Sequence, residues 1–352
     1  MYRNKTNFLW GVGEANYGVT QIGIGDGTTI NRSSPVQIGV GNKWIQIAIA
    51  PTSSYAAIRI DGALFTWGYN ASGELGTGTT IYRSSPVQIG VGSSWKYAVS
   101  GGAIRSDNTL WMWGNNAYGR LGDGTTINRY TMQQVGTSNW ATVAKGPLST
   151  SAIKLDDGTL WTWGYNANGQ LGDGTTVDKS SPVQIGTSSW IALSSDACSA
   201  IRSDGALFTW GRGSYGMLGD GTTISKSSPV QVGTSSWIMT ASNEGYSRAA
   251  IRSDGTLWTW GQNNYGQLGD GTTIDKSSPI QIGTYSWVSV DMGYYHCVAV
   301  RVDGTLWTWG YNDKGQLGDD TTISKSSPIQ IQASRRWRMA AAGAKTSQFI
   351  TE

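Results

Sequence analysis

The chain has 352 residues, a formal net charge of +3 and only 14% charged residues. So weak a charge bias does not favour nucleic acid or an anionic membrane surface as a partner. No apolar run approaches the roughly 20 residues of a membrane span, so membrane insertion is not expected. Residues 1–10 contain no signal-peptide core, and ordinary secretion of the chain as written is not expected.

Tryptophan positions divide the chain into repeats of about 50 residues. Trp-Gly pairs occur at Trp10, Trp67, Trp113, Trp163, Trp210, Trp260 and Trp309. A second series occurs at Trp44, Trp95, Trp140, Trp190, Trp237, Trp287 and Trp337. A period of this length, made of short strand-like segments, is typical of a β-propeller, and seven copies predict seven blades.

The stretch from Trp237 to Gly283 illustrates one predicted blade of four antiparallel strands. An inner strand starts at Trp237, and a second strand covers residues 248–253. Asp254-Gly255 then forms a hairpin turn, because glycine tolerates the positive φ that such turns need. A third strand with alternating faces ends in Trp-Gly, and an outer strand follows a loop rich in Gly, Asn and Tyr.

The two ends of the chain are out of phase with this blade. The C-terminal part supplies an inner strand from Trp337 and a second strand over residues 347–350. The N-terminal part supplies a third strand over residues 7–11 and an outer strand over residues 34–39. We therefore predict an all-β fold over residues 1–352, a single seven-bladed propeller whose termini share one blade and close the ring. Closure removes exposed sheet edges.

Few residues have the chemistry of a catalytic or metal site. His296 is the one histidine, which excludes a histidine-rich metal site and weakens any histidine-dependent triad. Cys198 and Cys297 lie in matching positions two repeats apart, too far for a disulfide, and we expect buried free thiols. We predict no catalytic residues, no bound metal and no cofactor.

Charged residues recur once per repeat in three sets. Gly-Asp-Gly-Thr-Thr loops superficially resemble calcium loops, but one carboxylate per loop fits a turn that accepts backbone N–H groups better. Asp-Gly hairpins follow an arginine by two residues in most repeats, which indicates local pairing. A basic residue precedes each outer strand; this ring could follow an acidic polymer, but a solvated rim that protects edge strands is favoured.

The candidate binding surface lies where the repeats differ from one another. The turns after the inner strands vary in sequence, whereas the strands hardly change, although drift at tolerant turns would give the same pattern. Tyrosines in these turns and in the long loops are predicted to share one face of the ring. Tyrosine supplies contact area at low entropic cost and also suits stacking on sugars. The candidate binding residues are Tyr55, Tyr118, Tyr165, Tyr246, Arg248, Tyr265, Tyr294, Tyr295 and His296.

Residues 250–271 show a family resemblance. They read Ala-Ile-Arg-Ser-Asp-Gly-Thr-Leu-Trp-Thr-Trp-Gly-Gln-Asn-Asn-Tyr-Gly-Gln-Leu-Gly-Asp-Gly, which resembles the repeat of the regulator of chromosome condensation family. The pattern recurs in all seven repeats and is most degraded after Trp10. The resemblance implies a propeller fold but no single activity, since members include a nucleotide exchange factor for a small GTPase, ubiquitin ligase modules and bacterial β-lactamase inhibitors.

The chain departs from that family in several respects. Its Gly-x-x-His pattern survives only at Gly293-Tyr-Tyr-His296. A basic tail for chromatin and an insertion resembling the exchange factor's wedge are both absent, so neither role is favoured. The near identity of the repeats resembles that of bacterial or phage repeat proteins.

These observations lead to a functional hypothesis with two alternatives. The leading hypothesis is a non-enzymatic binding or structural propeller in a phage virion (tail or capsid-associated) or a bacterial surface-associated assembly. It would bind a protein partner in a larger assembly or a host surface glycan. One alternative is an intracellular, cytoplasmic regulator of a GTPase or another enzyme through protein–protein contact. The other is an enzyme such as a polysaccharide lyase or hydrolase.

Overall fold

Each repeat folds into an antiparallel sheet of four strands, and seven such sheets surround a central channel. The computed structural model describes residues 7–17, 20–50, 52–242 and 246–352. Within these ranges no helix is long and apolar enough to cross a membrane. The predicted all-β, seven-bladed fold with four antiparallel strands per blade is confirmed.

We number the blades 1 to 7 and give the strands of each from the channel outward. Blade 1 comprises Trp44–Ile49, Ser54–Arg59, Leu64–Gly68 and Arg83–Ile89; blade 2 comprises Trp95–Val99, Gly102–Arg105, Leu110–Gly114 and Arg129–Gln134; blade 3 comprises Trp140–Lys145, Ser149–Lys154, Thr159–Gly164 and the first part of Lys179–Leu193. Blade 4 comprises the rest of that strand, Ser199–Arg202, Leu207–Gly211 and Lys226–Gln231; blade 5 comprises Trp237–Ser242, Ser247–Arg252, Thr256–Gly261 and the first part of Lys276–Met292. Blade 6 comprises the rest of that strand, His296–Arg301, Leu306–Gly310 and Lys325–Ile331; blade 7 comprises Trp337–Ala342, Thr346–Thr351, Leu9–Gly13 and Arg32–Ile38. Outside the blades lie a hairpin (Asn16–Tyr17, Thr20–Gln21) and two 3-10 helices (Ala117–Gly119, Ser214–Gly216).

Blade 7 is built from both ends of the chain, as the phase of the repeats predicts. Strand Leu9–Gly13 pairs with Thr346–Thr351 on one side and with Arg32–Ile38 on the other. The backbone N–H of Thr351 also donates to the carbonyl of Phe8 at 3.0 Å. These bonds join the first and last parts of the chain in one ladder, so neither Leu9–Gly13 nor Thr346–Thr351 is an edge strand.

The register of blade 7 corrects one prediction about the tryptophan repeat. Gly13 pairs with Thr346, as Gly310 pairs with His296 in blade 6, so Val12-Gly13 takes the Trp-Gly position. Trp10 is therefore the counterpart of Trp307, two residues earlier in the strand. Both rings are covered by a guanidinium, that of Arg335 at 3.7 Å over Trp10 in blade 7 and that of Arg301 over Trp307 in blade 6.

The tryptophans of the other six Trp-Gly pairs hold neighbouring blades together. Each indole is buried, and its Nε1 donates to a backbone carbonyl in the long loop of the preceding blade at 2.8–3.1 Å. The loop must approach the indole closely: a Cβ at Gly269 would lie 2.6 Å from Nε1 of Trp309. The second glycine of the Gly-x-Leu-Gly sequence in the loops follows from this contact, since only glycine leaves room for the ring.

The recurring carboxylates have local structural roles, as predicted. In blade 2, Asp123 accepts hydrogen bonds from the N–H of Thr125 at 3.0 Å and from the amide of Asn116 at 3.0 Å. In the hairpins, Asp254 accepts the N–H of Thr256 at 2.9 Å, which closes the turn. Among the described residues, no three His, Cys, Asp or Glu side chains lie together as potential metal ligands.

The ring of basic residues is paired and is not simply a solvated rim. In six blades the cation that begins the outermost strand lies 2.6–3.9 Å from the aspartate of the adjoining loop; the pairs are Arg32–Asp26, Arg129–Asp123, Lys179–Asp173, Lys226–Asp220, Lys276–Asp270 and Lys325–Asp319. Arg83 of blade 1 faces a loop in which Thr77 replaces the aspartate. This pairing leaves little net charge at the rim with which to follow an acidic polymer.

Candidate functional site

Exposed tyrosines gather on the face of the ring formed by the turns after the innermost strands and by the long loops. We call this surface the tyrosine face and define it by Tyr118, Tyr165, Tyr215, Tyr246, Tyr265, Tyr294, Tyr295 and Tyr311. Their rings are exposed or half-buried, with exposed fractions of 44% for Tyr118 and 40% for Tyr265. Large aromatic surface is therefore available to a partner on this side of the molecule.

Ring contacts connect tyrosines of neighbouring blades. Tyr265 lies 4.5 Å from Tyr311 and 4.9 Å from Tyr295, measured between ring centroids. Tyr215 lies 5.3 Å from Tyr246. Burial raises the pKa of Tyr295 above its usual value, and the nearby Tyr265, Tyr246 and Tyr215 add to this effect. The ring contacts thus give two groups, Tyr215 with Tyr246 and Tyr265 with Tyr294, Tyr295 and Tyr311. Members of both groups line one cavity, so we call the six residues together the aromatic cluster.

Several of these tyrosines have unusual backbone conformations. Tyr118, Tyr215 and Tyr246 have φ values of 63°, 59° and 57°. Bulky residues seldom occupy this left-handed region, and each such residue costs of order 1–3 kcal/mol. Strained residues concentrate at binding and active sites, so the conformation marks these tyrosines as candidates for function.

A cavity of about 430 Å³ opens within the aromatic cluster. Blades 3 to 6 all contribute to it, and its lining includes Leu148, Trp210, Met217, Tyr246, Tyr294 and Tyr295, together with Asp196, Cys198, Arg212 and Arg248. The volume lies in the range of ligand pockets, which combine apolar walls with a few polar groups.

Two arginines line this cavity in different environments. Arg212 is exposed; its Nη1 donates to the hydroxyl of Tyr246 at 2.6 Å, and its guanidinium lies 5.1 Å from that ring. Arg248 is fully buried, and its Nη2 lies 3.0 Å from Oδ2 of Asp196. Asp196 also accepts the backbone N–H of Cys198 at 3.0 Å, so blade 5 is tied to a turn of blade 4.

Six of the nine predicted binding residues lie at the surface of the tyrosine face. Tyr246, Tyr265, Tyr294 and Tyr295 belong to the aromatic cluster of blades 4 to 6. Tyr118 and Tyr165 form a separate pair, 4.8 Å apart, at the junction of blades 2 and 3. Their role in binding remains a prediction. Residues 243–245, part of one of the variable turns, lie outside the described residues.

The other three predicted residues are buried. Tyr55 and His296 lie outside the cavity and are not retained as contacts, whereas Arg248 lines it. Tyr55 is 1% exposed and stacks on Trp67 at 5.4 Å, and burial raises its pKa to about 12. His296 is fully buried; its Nε2 lies 3.0 Å from Oγ of Ser347, and burial lowers its pKa to about 4. Arg248 contributes to the base of the cavity.

Sequence reasoning missed Arg212 and Asp196. Arg212 directly follows a Trp-Gly pair, where the other complete repeats have Tyr, Asn or Gln. An alignment of the complete repeats would therefore have identified it as the one charged residue at this position. Asp196 lies in the turn between the first two strands of blade 4, and only its contact with Arg248 in blade 5 shows its significance. Cys198, next to this ion pair, is free and buried as predicted, as is Cys297.

The central channel is lined by an acid and a base, Asp291 and Lys145. The innermost strands of all seven blades line a cavity of about 250 Å³ there. Asp291 accepts the backbone N–H of Ala342 at 3.0 Å, and burial raises the pKa of its carboxyl to about 7. Burial lowers the pKa of Lys145 to about 7, and the charge of Arg120 adds to this shift.

Asp291→Asn is expected to change how stability depends on pH. The carboxyl pKa rises from 3.8 to about 7 on folding, so the folded state binds the proton more tightly. The contribution of Asp291 to stability therefore falls as pH rises from about 4 to 7. The free energy of unfolding of the variant, measured relative to wild type, should therefore rise by about 1–2 kcal/mol between pH 5 and pH 8. Contact of the half-buried carboxyl with solvent keeps this rise below the value that the full pKa shift would give. Urea unfolding at both pH values tests this, and an equal difference at the two would contradict it.

Comparison with solved structures shows the same fold in eukaryotic proteins. Human WBSCR16 matches with a TM-score of 0.82 and 20% identity over 98% of this chain and 99% of that one. Yeast RCC1 (Prp20), crystallised with Kap60, matches with a TM-score of 0.83 and 17% identity over 99% and 89%. Prp20p from Saccharomyces cerevisiae, in a study that also covers its binding to Gsp1p and histones, matches with a TM-score of 0.82 and 18% identity over 99% and 92%.

Family models match the sequence itself. A model of the regulator of chromosome condensation (RCC1) repeat matches residues 61–104. A model of the RCC1-like domain matches residues 103–352, well over half of the chain. The resemblance seen in the repeat sequence is thereby confirmed, and the chain belongs to the RCC1-like domain family.

Proposed function

We propose that this propeller is a protein-interaction module that regulates its partner by binding it on the tyrosine face. The aromatic cluster around the cavity of blades 3 to 6 is the observation that carries the proposal. Tyrosine and arginine are enriched at the energetic centres of protein interfaces, where a well-packed pocket often holds the partner's anchor. The rigid ring would present this surface at little entropic cost.

The comparisons favour an intracellular partner over the virion setting. Yeast RCC1 (Prp20) was crystallised with Kap60, and its reported binding properties concern Gsp1p and histones. These partners support the alternative of an intracellular regulator of a GTPase or another enzyme. The phage virion, the bacterial surface and the host glycan receive no support from similar proteins, and we do not pursue them.

The proposal is tested by capture of a partner on immobilised protein. Wild type is compared with Tyr246→Ala/Tyr294→Ala/Tyr295→Ala in a cytosolic extract of the source organism. The matched control is Ile60→Ala/Leu155→Ala/Val302→Ala, which removes three exposed apolar side chains beside the Asp-Gly hairpins of the opposite face. Circular dichroism checks that all three proteins are folded.

The expected result is a protein captured by wild type and by the control but lost, by tenfold or more, from the tyrosine variant. Such a loss corresponds to about 1.4 kcal/mol or more, as expected for interface anchors. Equal capture by all three proteins, or selective loss from the control, would contradict the proposal.

A further inference from the structure

Among the described residues that line the cavity of blades 3 to 6, two are cations, Arg212 and Arg248, and one is an anion, Asp196. The charge of Arg248 is compensated by Asp196 at 3.0 Å. Arg212 instead donates to the neutral hydroxyl of Tyr246, and no carboxylate of the described residues lies within ion-pair distance of it. Within the described part of the chain, the guanidinium of Arg212 thus has no carboxylate partner, and it lies next to a hydroxyl whose proton can also be donated.

The cavity also contains an unsatisfied buried donor. Arg248 is fully buried, and its Nε has no hydrogen-bond partner among the described residues. A buried donor without a partner carries a desolvation cost, which an acceptor on a ligand would relieve. Arg248 lines the same cavity as Arg212, so donors are present both at the opening and at the base.

The walls between these donors are apolar. Leu148, Trp210 and Met217 line the cavity on the side of blades 3 and 4, and Tyr294 and Tyr295 line it on the side of blade 6. A volume of about 430 Å³ accommodates a large side chain with its polar end. One cation without a carboxylate partner among the described residues matches a carboxylate better than a doubly charged phosphate, which Asp196 would also repel.

We propose that the cavity binds a carboxylate side chain of the partner protein, an Asp or Glu adjacent to an apolar residue. This inference rests on the proposed function and specifies the chemistry of the partner's anchor. The carboxylate binds the guanidinium of Arg212 and the hydroxyl of Tyr246, and the adjacent apolar side chain packs on Tyr294 and Tyr295. Charge-assisted hydrogen bonds of this kind are about twice as strong as neutral ones.

Two dipeptides serve as probes in an NMR titration of the whole chain. N-acetyl-Phe-Glu-amide carries the carboxylate, and N-acetyl-Phe-Gln-amide is its neutral counterpart. Each is titrated against wild type, Arg212→Gln and Tyr246→Phe, with Arg83→Gln as a control that removes an exposed cation at the rim. Tyr246→Phe keeps the ring and removes only the hydroxyl.

Wild type and the Arg83→Gln control are expected to bind the Glu dipeptide about tenfold more tightly than the Gln dipeptide. Arg212→Gln should abolish this preference, and Tyr246→Phe should reduce it. Equal binding of the two dipeptides by wild type, failure of both to bind, or an unchanged preference in Arg212→Gln would overturn the inference.

Partner capture separates this inference from the proposed function. A partner lost from both the triple tyrosine variant and Arg212→Gln supports both proposals. If the partner is lost from the tyrosine variant but retained at full strength by Arg212→Gln, the tyrosine face still binds it and the carboxylate anchor is wrong. If capture is unaffected by either variant, both proposals fail.

Discussion

Arg248→Met is expected to lower the free energy of unfolding by about 3–5 kcal/mol. Arg248 is fully buried, and its Nη2 lies 3.0 Å from Oδ2 of Asp196. Methionine fills much of the same volume but leaves the carboxylate of Asp196 in the interior without its counter-charge. Denaturant unfolding followed by circular dichroism measures the loss.

Two further variants isolate the charge effect. Asp196→Asn/Arg248→Met removes both charges and should recover part of the lost stability, because no unpaired buried charge remains. Arg202→Met breaks an ion pair of similar length with Asp204, but both side chains are substantially exposed, so little change is expected. A double variant less stable than Arg248→Met, or an equal loss for Arg202→Met, would contradict this account of the ion pair.

Trp260→Ala is expected to destabilise the protein by about 3–5 kcal/mol through loss of a blade-to-blade contact. The indole is fully buried, packs 6.3 Å from Trp237 and donates to the carbonyl of Met217 in the preceding blade at 3.0 Å. Alanine would leave a cavity and an unpaired carbonyl between blades 4 and 5. The loss should appear as a lower midpoint in urea unfolding.

Trp258→Ala is the matched control for that variant. Trp258 lies two residues earlier in the same strand, is only partly buried and is covered by the guanidinium of Arg252 at 3.5 Å. Its removal costs a cation–π contact and some apolar area, so we expect a loss of about 1–2 kcal/mol. Equal losses for the two variants would show that Trp260 has no special role between blades.

The repeat sequence was sufficient to predict the architecture because the same contacts recur in every blade. Trp-Gly, the glycine loops and the Asp-Gly turns each satisfy a local geometric requirement, and the phase of the ends predicts their shared blade. Register in blade 7 was not predictable from the dipeptide alone. It is determined by pairing with Thr346–Thr351, which places Val12, and not Trp10, in the buried position.

The candidate site was only partly predictable. Whether a side chain is exposed depends on where its strand begins and on contacts with neighbouring blades, and neither can be read from one repeat. Tyr55 and His296 lie at or next to the start of the second strands, so their side chains enter the interior instead of remaining in the turns. Arg212 and Asp196 gain their significance from contacts with Tyr246 and Arg248, residues more than 30 positions away in the sequence. Composition and the absence of motifs gave no physical basis for choosing a virion setting over an intracellular one.

Hydrogen exchange of the propeller, free and bound to its captured partner, tests the central claim most directly. Binding through the tyrosine face predicts slower exchange in the turns at residues 146–148, 194–198 and 293–295, with the Asp-Gly hairpins of the opposite face unchanged. Protection confined to those hairpins, with no change around Tyr246, Tyr294 and Tyr295, would show that the partner binds elsewhere.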